Sequence, residues 1–211
     1  MKSIIIIGEP RCGKTTLANA LYDKLNCQII HGDCERVSLS LAFPELNIKE
    51  NPKFVKYLEI LLRKQQRDSK YSVILESTDI KPKDIIETFS LDNNIVICLG
   101  VASIDYNDFC DYIIKNDTEN DWTKKCSKDE ILSYCKEYIS NSKINEVECI
   151  KNNIKYFDMS FNRAERIDEI IDYIKRLLWS FFISFIIRFA SAFSFDLKLW
   201  FASFIILYLP C

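Results

Sequence analysis

Four glycines and one histidine are all that these 211 residues hold of two residue types on which many active sites are built. With His31 the only imidazole, a Ser-His-Asp triad with a spare histidine and any multi-histidine metal site are almost excluded by counting. C-x-x-C pairs are missing too. The nine cysteines, at 12, 27, 34, 98, 110, 126, 135, 149 and 211, are odd in number and read as reduced, cytoplasmic thiols, not as a disulfide or zinc framework. Excess charge of either sign is absent: 28 basic residues face 30 acidic ones with no basic cluster, which argues against nucleic acid as the main partner. No D-x-x-G and no N-K-x-D occurs, so the guanine-nucleotide signatures are not there. The chain also opens without a charged-then-apolar secretory signal, because Met1-Lys2 leads at once into an apolar run.

The glycines that do occur are placed tellingly. Gly8-Glu9-Pro10-Arg11-Cys12-Gly13-Lys14-Thr15 follows Ile4-Ile5-Ile6-Ile7 and fits G-x-x-x-x-G-K-[ST], a phosphate-binding loop. The glycines let the main chain curl so that amides, including those around Arg11 and Cys12, point inward at a polyphosphate. Lys14 would reach the β- and γ-phosphates, and the Thr15 hydroxyl would ligate Mg²⁺. Thr16 continues the motif into a helix from about Lys14 to Leu25, whose positive end faces the same anion.

Short runs rich in Ile and Val at Ile4–Ile7, Cys27–Ile30, Ser72–Leu75, Ile95–Leu99 and Ile154–Phe157 alternate with helix-period segments. This predicts an α/β fold with a parallel sheet of five strands covered on both faces. The predicted helices include Pro52 to Asp68, one from the capping box Ser127–Glu130 toward Ser142, and one from a second such pattern, Asn162–Glu165, to about Leu178. Ligands of open parallel sheets bind beyond the carboxyl ends of the strands. Gly8, Gly13, Gly32 and Gly100 all fall on that rim.

Four other residues there could carry chemistry. Asp33 could take the proton of an acceptor hydroxyl or cap the next helix, and the two uses are compatible. Arg36, one helical turn on, could orient an anionic acceptor or steady transition-state charge. Glu76, after Val73-Ile74-Leu75, could hold a metal through water or pair with Lys14 as a structural ion pair. Arg163, at the start of the last helix, could stack over a purine or stand solvated; Arg166 has the same two readings. His31 is either a plain strand-end histidine or a substrate contact.

Residues 1–178 resemble the small P-loop kinases of the nucleoside/nucleotide kinase superfamily, which includes adenylate kinase-like, zeta-toxin-like and chloramphenicol phosphotransferase-like enzymes. The resemblance rests on Gly8–Thr16, Asp33-x-x-Arg36, the acidic end of Val73–Glu76, and Tyr156-Phe157-Asp158-Met159-Ser160-x-Asn162-Arg163. It implies a three-layer α/β/α domain, sheet order 2-3-1-4-5 and a small helical lid near 115–128. It implies ATP and Mg²⁺ at Lys14 and Thr15, an acceptor-side carboxylate at Asp33, and Arg163 near the adenine. The implied partner is a small molecule that accepts the γ-phosphoryl group. Two departures count against a nucleoside monophosphate in that role: the third strand ends in Glu76-Ser77-Thr78-Asp79, and no arginine occurs between Arg67 and Arg163, so cations of the lid must be lysines such as Lys115, Lys124, Lys125 and Lys128. Arg11 also stands where many relatives have glycine. The competing functions are a regulatory ATPase or nucleotide-dependent switch, and a binding module without turnover.

The last 33 residues differ in kind. Residues 179–211 hold eight of the fourteen phenylalanines and two of the three tryptophans with only three charged groups. Leu177 to Phe195 has the length of a membrane-spanning or membrane-lying helix, although Arg188 at its centre costs about 2.5–3.5 kcal/mol on insertion. Leu199 to Leu209 is too short to cross alone. A coding artefact, a membrane anchor, and an added core or interface helix are the three explanations open at this point.

Overall fold

Ile4, Ile5, Ile6 and Ile7 are each fully buried, because their strand lies at the centre of a sheet covered on both faces. Each such side chain contributes roughly 1.5–3 kcal/mol relative to an exposed one. The structure, a computed structural model, describes residues 2–191. It contains β1 (Ser3–Gly8), α1 (Lys14–Leu25), β2 (Gln28–His31), α2 (Gly32–Ala42), α3 (Lys53–Asp68), β3 (Val73–Ser77), α4 (Pro82–Thr88), β4 (Asn94–Gly100), α5 (Tyr106–Asn116), α6 (Lys128–Lys151), β5 (Lys155–Asp158) and α7 (Arg163–Ser191). The five strands are all parallel in the order β2-β3-β1-β4-β5, as the resemblance implied.

Strand alternation sends Ile5 and Ile7 to one face, where they meet Phe54, Leu58 and Leu62 of α3 and Ile85 of α4 in a single core cluster. The register then sets the rim. His31 and Ile6 both lie beside Glu76, and Gly8 lies beside Leu99. A Cβ on Gly8 would fall onto the Leu99 carbonyl oxygen, and the residue's φ of 140° is one that L side chains rarely adopt. Gly8→Ala is therefore expected to lower folding stability by about 3 kcal/mol, read as a shift of the urea midpoint. A midpoint unchanged from the parent protein would contradict this account of the strand-to-loop junction.

Helix ends depart from expectation in three places. The capping box at Ser127 forms, with Glu130 answering the Ser127 N–H, but α6 continues to Lys151 and not merely toward Ser142. At the start of α7, Asn162 stands at φ 50°, in the left-handed region, whereas an N-cap is normally extended. This helix also passes Leu178 and runs to Ser191. No glycine or proline interrupts residues 163–191.

The chain falls into two units, Met1–Ile170, which carries the sheet, and Ile171–Cys211, whose described part is the remainder of α7. Among the described residues no helix is long and apolar enough to cross a membrane. The expected span from Leu177 to Phe195 lies partly, and Leu199 to Leu209 wholly, outside the described residues. All eight described cysteines are free thiols.

Candidate active site

Gly8, Arg11 and Gly13 have φ of 140°, 64° and 91°, and these three positive values curl residues 8–13 back over the end of β1. Lys14 opens α1 from inside this curl. It is 5% exposed, and its Nζ donates to the Glu9 carbonyl oxygen at 2.9 Å. The alternative ion pair with Glu76 is not formed, and among the described residues Lys14 has no carboxylate partner. A buried ammonium without a counter-charge is costly, so its retention fits a site that receives an anion from outside. Cys12 is fully buried, and burial pushes its thiol up to about 11 despite nearby Lys14 and Arg163. Only its main chain is left for ligand contact. Thr16 follows in the first, exposed turn of α1.

Across the loop, Glu76 of β3 is 3% exposed and its Oε1 lies 2.8 Å from His31 Nδ1. The same oxygen accepts from Thr15 Oγ1 at 3.4 Å. The two predicted metal-side residues, Thr15 and Glu76, are thus brought together, and His31 braces the carboxylate from β2. Among the described residues no cluster of three or more His, Cys, Asp or Glu forms a self-sufficient metal site. A hydroxyl and a carboxylate beside a phosphate loop are instead the donors suited to a Mg²⁺ that keeps most of its ligands as water and phosphate oxygen.

Asp33 does not cap α2; the N-cap position is His31, and it makes no side-chain cap bond. The Asp33 carboxylate reaches across to the turn after β3, where Oδ1 accepts from Thr78 Oγ1 at 2.7 Å and from Thr78 N at 3.4 Å. Its Oδ2 makes no hydrogen bond among the described residues. Arg36 donates from Nε to Asp79 Oδ2 at 3.0 Å. Burial pushes the Asp79 carboxyl up; Arg36 opposes that shift and the charge of Asp33 adds to it.

Arg163 is half-buried and tied into the rim of the loop. Its guanidinium sits 3.9 Å from the centre of the Tyr112 ring, Nε donates to Met159 O at 2.8 Å, and Nη1 donates to Arg11 O at 3.0 Å. Nη2 is buried without a hydrogen-bond partner, an orphaned donor at the rim of the loop. Arg166 pairs with Glu169 at the surface instead. Lys115, Lys124, Lys125 and Lys128 are exposed, and Lys128 is bonded to Asp111.

Two sets of residues escaped the sequence reading. Glu9, 3% exposed, accepts from Lys81 Nζ at 2.7 Å, Asn145 Nδ2 at 3.0 Å and Asn141 Nδ2 at 3.3 Å, so the loop is moored to α6 and to the residue before α4. These residues line a cavity of about 280 Å³ that opens beside the loop. Arg11 donates to Asp117 Oδ1 and Asp121 Oδ1, each at 2.5 Å. Nothing in the sequence marks these partners, because they stand more than a hundred positions apart.

The sequence itself matches no family model and no curated protein. Solved structures do match. The chain is similar to a shikimate kinase from Bacteroides thetaiotaomicron, at 16% identity and TM-score 0.54, covering 84% of this chain and 98% of that one. It is similar to a gluconokinase from Sinorhizobium meliloti 1021, at 13% identity and TM-score 0.56, covering 87% and 97%. A sugar kinase from a Janibacter species aligns at 11% identity and TM-score 0.55, covering 83% and 95%. At such identities the likeness is one of fold, and the fold is that of small P-loop kinases.

Proposed function

We propose that this chain is an ATP-dependent phosphotransferase that moves the γ-phosphoryl group to a hydroxyl or phosphate of a small molecule. The observation that carries the reading is Lys14, a buried ammonium inside a curled loop with no carboxylate of its own. Around it stand the other parts such a transfer needs. The Gly8–Thr15 loop presents main-chain amides and a helix N-terminus to the polyphosphate, and Lys14 neutralises charge that spreads over the transferred group. Thr15 and Glu76 would hold Mg²⁺, which supplies charge neutralisation and polarises the phosphoryl oxygens. Asp33, held by Thr78 through one oxygen, keeps the other for the acceptor's proton. The Arg163 Nη2 is a donor without an acceptor until a ligand fills the rim.

Residues 1–178 are assigned this activity. The acceptor side is assigned to Asp33 and Arg36, with Asp79 holding the Arg36 guanidinium. The test is to incubate the full chain with Mg-ATP and a panel of nucleosides, sugars and hydroxy acids and to follow ADP. Release that depends on one class of acceptor is the expected result. Release of the same rate without any acceptor would overturn the transfer reading in favour of a nucleotide switch.

A further inference from the structure

Arg11 is the most heavily committed residue of the loop, and nothing in a phosphate-binding motif requires an arginine there. Its backbone is left-handed at φ 64°, a conformation glycine adopts freely and arginine does not. Its carbonyl is held by Arg163 Nη1. Its guanidinium spans Asp117, the residue that ends α5, and Asp121, four positions on. The Asp117 side chain is 3% exposed and also accepts from Thr123 Oγ1, while Asp121 accepts from the N–H and hydroxyl of Thr118. The inner polar contacts of residues 117–123 therefore converge on the two carboxylates that Arg11 joins. The short 3₁₀ turn Trp122–Lys125 hangs from the same knot.

Charge makes this arrangement conditional. One guanidinium serves two carboxylates, so Arg11 has no charge to spare for a ligand while both pairs are made. An incoming nucleotide adds several more negative charges beside the same cation, and its oxygens suit a guanidinium as well as a carboxylate does.

Resting on the nucleotide reading above, we infer that Arg11 is the positioning residue through which the loop reads a polyphosphate and signals it to residues 117–125. With the loop empty, Arg11 holds Asp117 and Asp121 and keeps that segment fastened. With phosphates in the loop, Arg11 is drawn to them, the carboxylates lose their shared partner, and the segment rearranges. Arg11 thereby supplies from the loop a cation that a lid without arginine cannot supply, since the lysines at 115, 124, 125 and 128 are exposed.

Trp122 sits within the segment and reports on it. In the full chain carrying Trp179→Phe and Trp200→Phe, Mg-ATP is expected to change the emission and acrylamide quenching of Trp122, whereas adenosine, which has no phosphates, is expected to leave both unchanged. Arg11→Gly suits the left-handed backbone and keeps the fold. It should lose the Trp122 response and bind ATP about tenfold more weakly, with adenosine binding unaltered. Asp117→Asn with Asp121→Asn should bind ATP several-fold more tightly, because the competing carboxylates are gone; Asp121→Asn alone should show a smaller gain and stands in should the double variant not fold. Heat of ATP binding without any Trp122 change, or an Arg11→Gly protein that responds like the parent, overturns this inference and leaves the proposed function intact. No heat with Mg-ATP overturns both.

Discussion

Lys14→Ala is expected to weaken ATP binding by at least about 100-fold, equivalent to about 2.7 kcal/mol, and to bring ADP release below detection. Lys14 lacks a carboxylate partner among the described residues. A buried lysine that served structure would be paired with a carboxylate, and its removal would leave that partner stranded at a cost of about 3–5 kcal/mol. Here the ammonium meets only the Glu9 carbonyl oxygen. Alanine therefore strands one carbonyl oxygen and removes one costly buried charge. The melting temperature of the nucleotide-free protein should stay within a few degrees of the parent or rise. Calorimetry with Mg-ATP and a thermal melt on the same preparation check both halves together. A variant that bound ATP normally would show that the ammonium does not serve a ligand, and one that melted far below the parent would show that it holds the loop together.

Asp33→Asn carries the second large effect, and it separates transfer from binding. Asparagine keeps an Oδ1 that accepts from the Thr78 hydroxyl, so the bridge from α2 to the turn after β3 survives. What it loses is the basic oxygen that Asp33 holds ready for an acceptor hydroxyl. Acceptor-dependent turnover should fall by about 10² to 10⁴, the usual worth of a positioned general base, while the Kd for ATP changes by less than about twofold. The split matters more than either number. A nucleotide switch has no use for a base at this position, so unchanged ADP release in Asp33→Asn would count against phosphoryl transfer even if ATP binds well.

These two outcomes bear on different walls of one rim. Lys14, Thr15 and Glu76 gather at the end of β1 and β3, whereas Asp33, Arg36 and Asp79 cross from α2 to the turn after β3. His31 joins them through the Glu76 carboxylate. The lone histidine is thus a brace on a buried acid, which is more than a plain strand end. Neither of its sequence readings contained that, because Glu76 is 45 positions away and only strand pairing sets them side by side.

Local order is where the chain alone was decisive. Five β-branched runs, an eight-residue glycine-lysine signature and a capping box at Ser127 are all events within a few residues, governed by backbone sterics and nearest-neighbour hydrogen bonds. Hence the strands, the curl after β1, the start of α1 and the place of the candidate residues at the carboxyl edge were legible in the sequence. Sheet order followed from resemblance to a known superfamily and not from the residues themselves. Helix lengths were less legible: α7 and α6 ran past their expected ends because amphipathic spacing says where a helix is useful and not where its capping residue falls.

Tertiary structure alone decided the partners. It placed the Glu9 carboxylate between Lys81, Asn141 and Asn145, turned Arg163 onto Tyr112, and drew Arg11 to Asp117 and Asp121. Each of these joins residues about 50 to more than 130 positions apart, across crossover connections whose geometry no local pattern encodes. The amino-acid sequence determined which groups stand on the rim; the packing of the layers determined which charges there are satisfied by the protein and which are left waiting for a ligand.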